Sequence, residues 1–166
     1  MAVATAEEML QVLSMRLAWS TTVIMAAAVA DFRPTHPASQ KIKKQGQIAE
    51  TLNLERTTDI LASLSAQRTT QLLIGFAAET SDLIAHAQAK LTAKGLDLIV
   101  ANDVTREGAG FGSDQNAATL IDRQGIMTEL PLMPKRALAD AILSRVYELF
   151  RARQSSQTPT IVMGGR

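Results

Sequence analysis

The sequence predicts an α/β fold in which a mostly parallel sheet is flanked by helices. Three observations carry that prediction. Largely apolar runs over 21–30, 72–78 and 96–101 have the length of strands and lack polar alternation, as strands covered on both faces do. Segments with helical spacing lie between them, the alternation expected of strand–helix–strand units. Each run then ends abruptly where polar residues appear: Asp31 and Arg33 around the aromatic Phe32, Glu79-Thr80 and Asn102-Asp103. Ligands of open parallel sheets sit just beyond the carboxyl ends of the strands, so this shared rim is where a site is expected.

Composition narrows the classes of function. A chain of 166 residues fits one domain, able to bury roughly two thirds of its unfolded surface. Lys and Arg number 17 against 16 Asp and Glu, a net charge of +1. That balance gives no broad electrostatic case for nucleic acid or an anionic membrane, so any basic site must be local. Cysteine is absent, which excludes disulfides, thiolate nucleophiles and cysteine-bound zinc within the chain. His36 and His86 are the sole histidines, too few for a histidine-rich metal site. No apolar run approaches the ~20 residues of a membrane span, and the first turns carry acids where a signal peptide would be basic and then apolar. The expected location is cytoplasmic.

In chain order, Thr5 is the expected N-cap of a helix over 6–18, with Glu7 and Glu8 in its first turn and Met9, Leu10, Leu13 and Leu17 on one face. A parallel crossover helix needs a strand on each side, so a chain that opens on a helix leads us to expect a further N-terminal piece upstream. The first strand follows and delivers Asp31 at its end. Beyond a Pro- and Ser-bearing loop, Lys41-Ile42-Lys43-Lys44 reads either as a solvated strand edge or as a grip on a small anion, since Lys41 and Lys43 share a face if extended. Residues 48–55 alternate imperfectly and suggest an antiparallel strand, making 40–56 an arm that projects from the sheet.

Thr57-Thr58-Asp59 caps a short helix reaching about Arg68. The strand over 72–80 contains Gly75, which permits close approach to the backbone, and Phe76, which either packs in the core or lies against a base or sugar. Ser81 or Asp82 opens the next helix, where Lys90 and Lys94 stand four apart on one face, and Gly95 ends it as a left-handed cap. Gly108, Gly110 and Gly112 hint at a dinucleotide fingerprint. That motif requires a strand before the glycines and a helix after them, whereas residues 118–130 read as two strands around Gln124-Gly125. A long helix opens at Pro134-Lys135 and runs to about Arg153; residues 154–166 form an expected mobile tail, leaving 1–153 as the domain.

The ordered set Ala27-Ala28-Val29-Ala30-Asp31-Phe32-Arg33, Lys41-Ile42-Lys43-Lys44, Asp59-Ile60-Leu61, Gly75-Phe76-Ala77-Ala78-Glu79-Thr80, Lys90-Leu91-Thr92-Ala93-Lys94-Gly95, Asp97-Leu98-Ile99-Val100-Ala101-Asn102-Asp103, Phe111-Gly112-Ser113-Asp114-Gln115-Asn116 and Pro134-Lys135-Arg136 resembles the bacterial phosphopantothenate–cysteine ligase family, the CTP-dependent phosphopantothenoylcysteine synthetases of coenzyme A biosynthesis. The resemblance covers about residues 5–150. It implies a Rossmann-like parallel sheet flanked by helices, with an antiparallel dimerisation arm and a C-terminal hairpin, working as a homodimer. It further implies that 4′-phosphopantothenate is activated by CTP and Mg²⁺ as an acyl-cytidylate, from which cysteine displaces CMP. FMN belongs only to a fused upstream decarboxylase domain absent from this chain.

Carried over by position, the family's nucleotide contacts fall on Met25, Ala26 and Ala27, on Asp31 and Lys41, on Thr58, Asp59, Ile60 and Leu61, and on Phe76, Lys90 and Lys94. Lys41 is also the candidate catalytic residue and Asp31 the candidate metal ligand. A triphosphate needs cations around the charge developing on its α-phosphoryl group, which clustered lysines and a magnesium ion supply. Two departures stand out. Thr57-Thr58 replaces the family's usual Asn-Pro, and the family's opening strand, glycine-rich turn and intermediate-handling asparagine have no counterpart. The expectation is a chain that holds CTP and dimerises but has little ligase activity alone. The competing readings are another Rossmann-type enzyme using NAD or ATP and a non-catalytic assembly fragment.

Overall fold

The computed structural model describes residues 1–43, 51–79, 82–106, 108–109 and 112–157. Helix α1 (Ala6–Leu17) begins as its sequence dictates. The Thr5 hydroxyl accepts from the Glu8 amide at 3.1 Å, and the Glu8 carboxylate accepts from the Thr5 amide at 3.3 Å, forming a reciprocal capping box. Strand β1 (Thr22–Met25) follows, then a ribbon of β2 (Phe32–Pro34) and β3 (Leu54–Arg56), and α2 (Ile60–Gln67). Next come β4 (Leu72–Glu79), α3 (Leu83–Ala93), β5 (Leu98–Asp103), β6 (Gln115–Asp122), β7 (Met127–Pro134) and α4 (Lys135–Gln157).

Five strands form one sheet in the order β1-β4-β5-β6-β7. The first three run parallel, with Thr22 opposite Leu72 and Ile74 opposite Leu98, while β6 and β7 are antiparallel additions. The fold is therefore α/β as expected, and the C-terminal hairpin extends the main sheet rather than standing apart.

Side-chain alternation along β4 divides the core. Leu73 and Ala77 face α1, α2 and α3, joining Leu17, Leu61, Leu64, Leu91 and Ile99, whereas Leu72 and Ile74 face α4, joining Val100, Leu120, Leu138, Ile142 and Val146. Each such leucine or isoleucine contributes roughly 1.5–3 kcal/mol on burial. Gly75 is small because of this packing. A Cβ there would meet Leu96 Cδ1 at 2.7 Å and Leu61 Cδ1 at 3.2 Å, so the group approaching its backbone is the core itself. Gly95 adopts φ +59° as the expected left-handed cap, and its carbonyl accepts from Arg68 and Arg123 at 2.7 and 2.9 Å.

Two buried acids lie at the amino-terminal end of the parallel strands. Asp97 accepts from the Leu73 amide at 2.9 Å and pairs with Arg68 and, at 2.7 Å, with Arg153. Asp122, with no exposed surface, accepts from the Gln124 and Ile126 amides at 2.9 Å each and pairs with Arg145 at 2.6 Å. Arg145 and Arg153 both belong to α4, so two ion pairs hold that helix to the sheet. Desolvated carboxylates persist only where partners of this kind meet them.

Several expected boundaries differ. The strand expected over 21–30 ends at Met25, because the small residues after it leave the sheet. Among the described residues the arm strand spans Leu54–Arg56, residues 44–50 lying outside them, and it pairs with Phe32–Pro34: Arg33 stands opposite Glu55 and its Nε donates to that carboxylate at 2.7 Å. Lys41 and Lys43 are irregular, and Lys44 lies outside the described residues. The hairpin begins at Gln115 and continues to Pro134, and α4 runs past Arg153 to Gln157. Phe111 and the tail beyond residue 157 also lie outside the described residues.

Candidate functional site

At the carboxyl end of β1 the chain leaves the sheet and crosses the rim as Ala26–Asp31. The crossing is pinned from below: the Thr57 hydroxyl donates to the Ala30 carbonyl at 2.5 Å, and the Thr57 amide donates to the Asp31 carbonyl at 2.9 Å. Two residues later Asp59 caps α2, its Oδ1 accepting from the Ala62 amide at 3.1 Å, so the start of that helix faces the crossing segment. Lys90, on the last turn of α3, and Lys94, its C-cap, border the same space, as does Phe76 from β4.

Together these groups line a hollow of about 260 Å³. Ten of the twelve expected nucleotide contacts border it: Met25, Ala27, Asp31, Thr58, Asp59, Ile60, Leu61, Phe76, Lys90 and Lys94. Ala26 lies in the crossing segment without lining the hollow. Lys41 does not border it either and stands exposed. Sequence reasoning missed Ala28, Val29, Ala30 and Thr57 as lining residues. Thr57 carried a helix-cap signal alone, and nothing local announces its bond to Ala30.

The electrostatics combine two acids with two ammonium groups. Lys94 Nζ is 3.0 Å from Asp59 Oδ2. Burial pushes the Asp59 carboxyl up, but the Ala62 amide and the Lys94 ammonium outweigh it, and the net shift is downward. Asp59 is thus held ionised, while the helix amides beside it and the two lysines suit an anion at the mouth of α2. A larger cavity of about 590 Å³ lies back to back with the hollow, sharing Ala28–Ala30 and Thr57, and is bounded by the start of α1 and by the ribbon. Arg33 spans it, pairing with Glu7 at 2.5 Å and Glu55 at 2.7 Å.

Among the described residues, no group of three or more His, Asp or Glu side chains is placed to hold a metal ion by itself. Magnesium, however, is commonly held by one or two carboxylates together with substrate phosphates, and Asp31 on the rim fits that donor set. No helix among the described residues is long and apolar enough to cross a membrane.

Comparison with known proteins points to one family. The family model described as the DNA/pantothenate metabolism flavoprotein C-terminal domain matches residues 1–150. The coenzyme A biosynthesis bifunctional protein CoaBC of Bacillus subtilis (strain 168) is 46% identical over 130 residues, covering 78% of this chain and 32% of the relative. The CoaBC protein of Vibrio cholerae serotype O1 is 44% identical over 128 residues, covering 75% of this chain and 32% of the relative. The chain thus spans about a third of the length of these curated relatives.

Among solved structures, the C-terminal domain of CoaBC superposes with a TM-score of 0.73 at 34% identity, covering 90% of this chain and 65% of that one. A Cab2 mutant in complex with phosphopantothenate-cysteine superposes with a TM-score of 0.71 at 18% identity, over 96% of this chain and 55% of that one, a likeness of fold. Ordered strands, rim and hollow, together with a family match across nearly the whole chain, lead to one assignment: the chain belongs to the DNA/pantothenate metabolism flavoprotein C-terminal domain family.

Proposed function

We propose that this chain is the CTP-binding and dimerising part of a ligase that joins 4′-phosphopantothenate to cysteine in coenzyme A biosynthesis. The observation that carries the reading is the convergence of Asp31, the α2 cap, Phe76, Lys90 and Lys94 on one nucleotide-scale hollow. Lys90 and Lys94 would receive the phosphates, Phe76 would lie against the base or sugar, and the backbone around Met25–Ala27 would bound the opposite wall. Asp31 would hold Mg²⁺, which when bound neutralises phosphate charge. The larger cavity, which shares Ala28–Ala30 and Thr57 with the hollow, would admit the acid substrate, its carboxylate meeting the α-phosphoryl group over that shared edge.

Attack of the substrate carboxylate on the α-phosphorus forms the acyl-cytidylate and releases pyrophosphate; cysteine's amine then forms the amide and CMP leaves. Lys41 is proposed as the catalytic residue of this sequence. It does not line the hollow within one chain, which suits a lysine supplied by a second copy. Dimerisation through the ribbon is supported by its exposed apolar side chains, Phe32, Leu52 and Leu54. Because the chain spans about a third of its relatives, turnover is proposed for the whole protein and nucleotide binding for this chain. FMN would belong to a separate decarboxylase domain of that protein.

Titration calorimetry of this chain with the Mg²⁺ complexes of CTP, UTP and ATP, and with NAD, tests the reading. A preference for CTP is expected, alongside cysteine-dependent pyrophosphate release by the whole protein. Equal or absent affinity for CTP would overturn it.

A further inference from the structure

The polar end of β5 plays no part in the hollow as described, yet it holds an anomaly. Asn102 Oδ1 is buried and has no hydrogen-bond partner, the one such side-chain atom among the described residues. Buried acceptors are nearly always met, and an unmet one weakens the fold, so its retention asks for a partner from outside the chain.

Position points to what that partner is. Asn102 stands at the carboxyl end of the central strand of the sheet, on the rim where α/β ligands bind. Its register neighbours are Ala78 on β4 and Ala118 on β6, whose methyl groups donate nothing and leave a notch on either side. Side-chain alternation along β5 puts Asn102 on the face of Leu98 and Val100, the face on which Phe76 packs. Phe76 pairs with Val100, so Asn102 is one diagonal step from an aromatic ring that borders the hollow. After Asp103 the chain turns away through a side-chain-closed turn, with the Thr105 amide and hydroxyl donating to Asp103 Oδ1 at 3.1 and 2.7 Å.

We propose that Asn102 is a substrate-binding residue whose side-chain oxygen accepts an N–H from an uncharged amino group of a ligand. A buried neutral acceptor favours a neutral donor, since a full ammonium would lose too much hydration there. The inference rests on the ligase reading, which supplies two such groups: the exocyclic amine of cytosine and the free amine of cysteine at the moment it acts as nucleophile. Uracil presents a carbonyl where cytosine carries its amine, so an acceptor in that place would reject it.

The experiment compares wild type, Asn102→Ala and Asn102→Ser by calorimetry of this chain with CTP and UTP, by the KM for cysteine in the whole protein, and by thermal unfolding. Asn102→Ala is expected to leave Tm nearly unchanged, because the side-chain oxygen it removes has no internal partner, and Asn102→Ser to retain part of the binding. A fall of roughly tenfold or more in CTP affinity with UTP affinity unchanged assigns the nucleobase amine. A comparable rise in the KM for cysteine with CTP affinity unchanged assigns the cysteine amine. Unchanged CTP selectivity and unchanged KM would overturn the proposal and leave the oxygen to a buried water. So would a lowered Tm with equal losses toward every ligand, the mark of a structural residue. A wild-type chain that ignores CTP would defeat the ligase reading and this inference together, whereas wild-type CTP preference with indifferent variants defeats this inference alone.

Discussion

Lys94 Nζ and Asp59 Oδ2 lie 3.0 Å apart, so the residue that ends α3 is tethered to the residue that begins α2 inside the hollow. The tether holds the Lys94 ammonium beside the start of α2, and Lys90 borders the same hollow. Lys94→Gln is therefore expected to weaken CTP binding by roughly 10- to 100-fold, the range for losing a charge-assisted contact. Calorimetry checks this, with a small fall in the unfolding midpoint, from the lost pair with Asp59, as the control that the fold persists. Equal affinity in the variant would remove Lys94 from the nucleotide site.

The same pair makes a statement about acid. Folding holds the Asp59 carboxyl below its ordinary value of 3.8, so the folded chain favours the ionised form. That stabilisation is complete above the ordinary value and is lost as pH falls through the lower, folded one. The stability gap between wild type and Asp59→Asn should be flat near neutrality and close only in the acid range, as read from unfolding midpoints at a series of pH values. A gap that widened on acidification would contradict the direction.

Asp122 is fully buried, while Arg145 keeps a side-chain exposure of 23%. Arg145→Ala leaves that carboxylate with the Gln124 and Ile126 amides alone. Removing one partner of a buried pair typically costs roughly 3–5 kcal/mol, and the partial exposure places this case toward the lower end. Denaturant unfolding measures it. Arg153→Ala should cost less, because Asp97 retains Arg68 and Arg123.

Lys41 offers a contrast with Lys94. It stands outside the hollow, so Lys41→Gln should leave this chain's CTP affinity within about twofold and its Tm unchanged, while lowering turnover of the whole protein by at least about tenfold. A variant with full turnover would leave Lys41 as a solvated charge.

Much of this arrangement was legible because it rests on local rules. Thr5, Asp59 and Gly95 announced helix ends through caps that depend on one or two side chains, and Lys90 and Lys94 declared a common face by their spacing. The rim followed from three strands that end alike. The length of β1 was not legible: Ala26–Ala30 carry no side chain that distinguishes a strand from a crossing segment, and the bonds from Thr57 that settle it come from a distant part of the chain. Nor were the buried acids. Asp97 reads locally as an interruption of an apolar strand, and the arginines that make it tolerable arrive from α2, the hairpin turn and α4. The orphaned oxygen of Asn102 is likewise a property of its neighbours, two alanines that cannot be seen to flank it until the register is known.

The change from parallel to antiparallel pairing at β5 has a kinetic consequence. Strands β5, β6 and β7 join neighbours in the chain, so their pairings close short loops, whereas bringing Thr22 beside Leu72 must close a loop holding the entire ribbon and α2. Topology of this kind predicts that the hairpin half assembles early and that β1 docks last. The rim that borders the hollow then becomes complete only at the final step of folding, and a nucleotide bound there would act chiefly by slowing the departure of that strand.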